Sequence, residues 1–177
     1  MGRWRNFSLA ILCALIAACA TPPIEIERHV YSIAVPGTAL VLEFPSEGFK
    51  LEVADNNPPY FYFSNEKTKL NVSFRFARAT ECKSSETCRN YFANEFSPAD
   101  TNRKNWHYSR IGDVYISVSM NGSADNSGAR QQYMNAHFVK EGMWVNVRLS
   151  QTAYAETDRE PFVKMIRSIQ FWPKLRE

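Results

Sequence analysis

Leu70, Val72, Phe74 and Phe76 alternate with Asn71, Ser73 and Arg75. A period of two sends the apolar set to one side of an extended chain and the polar set to the other. This run is therefore a strand with one face in a core and one more polar face. Strand signals of the same kind recur on either side of it. They cover residues 30–35, 39–44, 49–53 and 60–63 before it, and residues 106–111, 114–120, 131–139 and 143–149 after it. Pro36-Gly37, Asn56-Asn57-Pro58-Pro59, Gly112-Asp113 and Glu141-Gly142 punctuate the series as turns. Within residues 49–53, Phe49, Leu51 and Val53 form the apolar set against Lys50 and Glu52. Within residues 143–149, Met143, Val145, Val147 and Leu149 are expected on the buried face, and Trp144, Asn146 and Arg148 opposite.

Two helices interrupt the strands. In residues 85–96 the side chains of Cys88, Tyr91, Phe92 and Phe96 recur at three- and four-residue spacing and should share a face. The second helix opens on Thr157-Asp158-Arg159-Glu160, a capping box in which Thr157 caps the N–H of Glu160 and Glu160 reaches back. Phe162, Met165 and Ile166 then form its apolar stripe, and residues 168–172 read as a short terminal strand stopped by Pro173. The expected class is α+β, an antiparallel β-sheet with helices packed on it, in a single domain of residues 28–177. Aromatic residues make up 14% of the chain, in keeping with a folded β-rich body.

The N-terminus has the anatomy of an export signal. Arg3 and Arg5 form a basic start, and an uncharged apolar stretch follows over residues 9–18. That stretch is shorter than the roughly 20 residues a spanning helix needs. It ends Ile16-Ala17-Ala18-Cys19, which resembles the lipobox of bacterial lipoproteins. The resemblance implies removal of residues 1–18 and acylation (palmitate among the acyl groups) of Cys19. It also implies attachment to the bacterial cell envelope. Ala20 in place of an aspartate favours the outer membrane, facing the periplasm. The competing reading is cleavage within Ala18-Cys19-Ala20 and release as a soluble secreted protein. Residues 19–27, with Thr21-Pro22-Pro23, read as a tether. The signal takes two of the 21 basic residues and none of the 18 acidic ones, leaving a nearly neutral mature chain. That balance speaks against a nucleic-acid partner. Cys13 leaves with the signal, so Cys82 and Cys88 are the remaining pair. In an oxidising compartment they are expected to form a disulfide that pins a loop to the start of the first helix. Two free thiols are the alternative.

The end of the chain resembles a known family. Phe138-Val139-Lys140-Glu141-Gly142, the strand from Trp144 to Leu149, and the stretch from Phe162 to Ser168-Ile169-Gln170-Phe171 are similar to the close of PsbP-like domains, found in DcrB-type bacterial lipoproteins. The resemblance implies their fold and a non-enzymatic binding or assembly role.

The chain offers no catalytic constellation. His29, His107 and His137 lack metal-ligand spacing, and a lone strand histidine is ordinarily structural. There is no G-x-S-x-G elbow, phosphate-binding glycine loop or H-E-x-x-H. No enzyme activity, cofactor or metal is expected. Recognition has two candidates. Tyr60-Phe61-Tyr62-Phe63 puts aromatics on both faces of one strand, either buried on both sides or with Tyr60 and Tyr62 forming a contact face. The polar loop of residues 121–130 is either a solvated connection or a partner contact through Asp125 and Arg130. The expected function is a membrane-anchored envelope lipoprotein whose domain binds another envelope protein without chemistry. The alternatives are a periplasmic immunity or inhibitor protein against a toxin or hydrolase, and a small enzyme or carrier of an apolar ligand.

Overall fold

The computed structural model describes residues 24–26, 29–96, 106–121, 131–152 and 159–174. Its elements in order are β1 (Ile24–Ile26), β2 (Val30–Ala34), β3 (Leu40–Pro45), β4 (Lys50–Asn56), β5 (Pro59–Asn65), β6 (Leu70–Arg78), α1 (Ser85–Phe96), β7 (Trp106–Ile111), β8 (Val114–Asn121), β9 (Gln131–Lys140), β10 (Met143–Thr152), α2 (Glu160–Ser168) and β11 (Gln170–Pro173). The class is α+β and every strand pairing is antiparallel, but there are two sheets rather than one. Seven strands run in the order β4-β5-β6-β10-β9-β8-β7, and four in the order β1-β2-β3-β11. The residues 24–26 assigned to the tether form β1, paired to β2 from Ile24↔Ser32 to Ile26↔Val30. Cys19 and residues 1–18, read from the sequence as an export signal, lie outside the described residues.

The expected apolar faces line the core between the sheets. Phe74 and Phe76 of β6, Val145, Val147 and Leu149 of β10, and Phe61 and Phe63 of β5 are all buried there. The smaller sheet supplies Ile33, Leu42 and Phe44, and α2 closes the core with Phe162, Met165 and Ile166. Phe44 anchors the join, its ring 4.8 Å from those of both Phe63 and Phe74. Aromatic pairs at this separation add attraction beyond their buried area.

The β9–β10 hairpin turns on Glu141 and Gly142, at φ 48° and 71°. Two central residues with positive φ match the twist of an antiparallel pair, and glycine adopts that backbone without a Cβ penalty. The Glu141 carboxylate accepts the backbone N–H of Ala39 at 3.1 Å, tying the hairpin to the smaller sheet.

Three local expectations need correction. A bulge between Leu51 and Val53 breaks the alternation of β4, pairing Val53 with Tyr62 and leaving it 45% exposed rather than buried. Tyr91 does not share the buried face of α1; Cys88 and Phe92 are buried there, while Tyr91 is 48% exposed. The side chain of Phe96 lies outside the described residues. The capping box belongs to the other helix. The Thr87 N–H donates to Ser84 Oγ at 3.2 Å, and the Ser84 N–H donates to Thr87 Oγ1 at 3.0 Å. α2 instead has Arg159 at its N-cap with no side-chain cap and a proline in its first turn, two residues past the expected Thr157. Thr157 itself lies outside the described residues.

Candidate functional site

The face of the seven-stranded sheet turned away from the core is built from the positions that alternate with the apolar ones. Strand register aligns them in rows. One row runs Tyr60, Arg75, Asn146, His137, Tyr115, Arg110 from β5 to β7. The next runs Tyr62, Ser73, Arg148, Asn135, Ser117, Tyr108 across the same six strands. Neither row contains an aspartate or glutamate; Asp55 and Glu52 stand beyond them on the edge strand β4. Tyr133 belongs to a third row, opposite Ser150. This face therefore carries Tyr60, Tyr62, Tyr108, Tyr115 and Tyr133 out of 8 tyrosines in the chain.

Guanidinium groups lie over these rings. Arg75 is 5.5 Å from the Tyr60 centroid, Arg148 4.3 Å from Tyr133, and Arg110 5.8 Å from Tyr115. Each contact of this kind contributes on the order of 0.5–1 kcal/mol when exposed. Arg75 and Arg148 occupy diagonal positions on adjacent strands, so two like charges are held close on one face, an arrangement that costs stability by itself. Arg110 is neutralised by Glu86 of α1. Arg148 has no carboxylate partner among the described residues.

α1 covers the end of the face near the β7–β8 and β9–β10 turns. The disulfide between Cys82 and Cys88, with Cα atoms 4.9 Å apart, joins the loop before α1 to its first turns, where the sequence placed it. Phe92 stacks on Trp144 at 4.3 Å, and Cys82, Cys88, Phe92 and Trp144 form a small apolar cluster separate from the main core. Ser85 Oγ donates to the Asp113 carbonyl at 2.7 Å, fixing the helix to the β7–β8 turn. Asp113 also accepts from Lys140 at 2.8 Å, and this bond holds its carboxyl below the usual range.

Beneath the edge of α1 sits a buried polar group. Arg89 is 8% exposed and lies over the Tyr108 ring at 4.7 Å. It donates to the Tyr108 hydroxyl at 2.7 Å and to Asn90 Oδ1 at 2.9 Å. His137, 5% exposed, has its Nε2 3.3 Å from Ser117 Oγ and its ring 5.8 Å from that of Trp144. Burial, and secondarily the Arg89 charge, pushes its pKa down to about 3, so it is neutral at physiological pH. Its Nδ1 and the Oδ1 of Asn146, opposite it on β10, have no hydrogen-bond partner among the described residues.

The structure separates the residues singled out from the sequence. Tyr60 and Tyr62 lie half-buried on the outer face while Phe61 and Phe63 point into the core, so this strand is not buried on both sides. Burial raises the Tyr62 phenol above its ordinary pKa. Asp125 and Arg130 lie outside the described residues. His29 and His107 are exposed and apart from His137. Arg75, Arg148, Arg89 and Tyr133 were not singled out from the sequence. For Arg75, Arg148 and Tyr133 the signal was their place in the strand alternation opposite the core-facing set, read there only as the side facing away from the core. Arg89, on α1, had no such signal. Among the described residues no group of three or more His, Cys, Asp or Glu side chains could hold a metal ion. Among the same residues no helix is long and apolar enough to cross a membrane.

No family model matches the chain, and no curated protein is similar to it in sequence. Among solved structures it is similar to the Ran-binding protein Mog1p of Saccharomyces cerevisiae. The TM-score is 0.50 and the identity 10%, over 82% of this chain and 95% of that one. It is also similar to a protein of Bacteroides thetaiotaomicron, with a TM-score of 0.46 and 9% identity over 78% of this chain. The chain spans about half, 47%, of that second protein. The likeness to Mog1p is one of fold, and it defines the chain as an α+β protein of Mog1p-type fold.

Proposed function

We propose that this chain is a lipid-anchored protein of the bacterial cell envelope whose single domain, of the PsbP-like kind, binds another envelope protein without carrying out chemistry. The observation that carries the binding role is the outer face of the seven-stranded sheet, with its tyrosines, its arginines and no carboxylate from β5 to β7. Tyrosine and arginine are among the residue types in which interface energy concentrates: tyrosine buries a large rigid ring and keeps a polar tip, and arginine presents a planar fork of donors that also stacks on rings. The solved neighbour of the same fold is named for binding a protein. The anchor rests on Ala17-Ala18-Cys19 after a short uncharged apolar stretch. Acylation at Cys19 confines the domain to a thin layer, raising its effective concentration against partners in the same membrane.

The test has two parts. Cys19→Ser should block maturation or release the protein from membranes; a variant that matures and stays membrane-bound at high salt contradicts the anchor. A photo-crosslinking amino acid at position 62 should trap a discrete protein adduct in intact cells, while the same group at exposed position 167 should not. Equal, diffuse labelling from both positions contradicts the outer face as the binding surface.

A further inference from the structure

The smaller sheet also turns one face away from the core, and that face is largely apolar. Leu42 and Phe44 of β3 are buried in the core, which leaves Val41 and Glu43 on the other side. Trp172 of β11 is directly opposite Val41, and Val41 is directly opposite Ala34 of β2, so the three form one row across the sheet. Val30 of β2 stands opposite Ile26 of β1 in another row. Glu43 is the one charged residue at the outward positions of these four strands. Val30, Ala34 and Val41 are partly exposed, and Trp172 is 50% exposed. A contiguous apolar patch of this kind marks a contact surface.

What lies against this face follows from where the chain is anchored, an inference that rests on the acylation of Cys19 proposed above. Four residues separate Cys19 from Ile24, the first residue of β1. Even fully extended, that stretch reaches at most about 18 Å. The headgroup layer alone is roughly 5–8 Å deep, so β1 and the smaller sheet are held at the membrane surface. We infer that the outer face of the smaller sheet lies flat on the lipid surface, with Trp172 in the headgroup layer. Tryptophan concentrates at membrane–water interfaces because its ring is apolar and its N–H is polar. The acyl chains supply the affinity, so this face need only fix the orientation. The two sheets face each other across the core. The flat posture therefore points the tyrosine-bearing face of the seven-stranded sheet away from the membrane. Trp172 lies on the edge strand farthest from β1, so a domain standing on its β1 edge would keep it out of the lipid.

The experiment reconstitutes the mature chain, purified from membranes, in phosphatidylcholine vesicles with and without lipid brominated near the headgroup end of its acyl chain. Bromine quenches tryptophan emission only at close approach, and Trp144 is buried within the protein. Bromolipid should quench part of the emission of the unsubstituted chain, and Trp172→Phe should lose most of that quenching. Tyr62→Trp in the Trp172→Phe chain puts a tryptophan on the opposite side of the domain and should restore none of it. Melting curves confirm that both variants are folded. Quenching that is unchanged by Trp172→Phe, or restored by Tyr62→Trp, overturns the inference. So does a photo-crosslinking group at position 41 that traps a second copy of the chain or another protein in intact cells. Intact mass of the purified protein separates this inference from the anchor it rests on. An acylated chain whose Trp172 is not quenched contradicts the flat posture alone. A chain without acyl groups contradicts the anchor, and the posture falls with it.

Discussion

Arg148 of β10 lies over the ring of Tyr133 on β9, its guanidinium carbon 4.3 Å from the ring centroid. The two are diagonal neighbours, since Arg148 is directly opposite Asn135. Side chains at diagonal positions are within reach of each other only when they are long or aromatic, and this pair is both. The contact holds a charge flat against the sheet and away from any carboxylate of the same face.

Such a residue is expected to contribute little to folding, and on the proposed reading it serves recognition. Arg148→Ala should lower the unfolding free energy by less than about 1 kcal/mol, the scale of a half-exposed cation–π contact. Phe44→Ala, which empties the site between Tyr31, Phe63 and Phe74, should cost about 3–5 kcal/mol. Urea denaturation of the two variants measures both values. A larger loss for Arg148→Ala than for Phe44→Ala contradicts the division between core and surface.

His137 predicts a pH dependence. Its folded pKa is about 3 against 6.5 for the free side chain, so between those values the unfolded chain binds a proton that the folded one does not. Stability from this group is fully present above about pH 6.5 and is lost as pH falls toward 3, by at most about 1.4 kcal/mol per pH unit. The depressed carboxyl of Asp113 acts only near and below its ordinary value of 3.8, so the window from pH 6.5 to 5 belongs to the histidine. Melting temperature should fall across that window in the native chain and stay nearly flat in His137→Gln. Parallel slopes in the two proteins contradict the assignment.

The Cys82–Cys88 bridge closes a short loop, with a sequence separation of 6. Reducing it should cost about 2 kcal/mol, at the low end for disulfides, and should loosen α1 first. Intact mass after alkylation of the unreduced protein should show neither thiol modified, and reduction should raise amide exchange in α1 before β6 or β10. Two modified thiols in periplasm-derived protein contradict the bridge.

Helix capping offers a separate check. Ser84→Ala removes the acceptor for the Thr87 N–H and should cost about 1 kcal/mol. Thr157→Ala should shift stability by less than about 0.5 kcal/mol, because Arg159 occupies the N-cap of α2. Thermal melts of the two variants rank them, and the reverse order contradicts the cap assignment.

Most of the fold was legible because its signals are local. The alternation from Leu70 to Phe76 set both strand and buried face, and Gly142 marked the β9–β10 turn. The helix over residues 85–96 was legible from spacing alone. Pairing order was not, since the decision to split the strands into two sheets depends on how Phe44 packs against Phe63 and Phe74 across the core. The bulge before Val53 was equally hidden, because it concerns register with β5 rather than any residue's own preference. The Ser84–Thr87 box escaped because threonine stands at the position where the pattern calls for glutamate or glutamine. For the candidate site, Tyr60 and Tyr62 could be found from their strand, but its arginines could not. Arg75 and Arg148 come from strands far apart in sequence and meet only because β6 pairs with β10.

The claim that matters most is that the outer face binds a protein and performs no reaction. It is tested by capture of the crosslinked partner from solubilised envelopes, measured with the melting curve of each variant. Tyr62→Ala combined with Arg148→Gln should reduce capture about tenfold or more. The melting temperature should move by only a few degrees. Capture that survives these substitutions, or a turnover that persists through purification and disappears when His107 or His137 is replaced, contradicts the account.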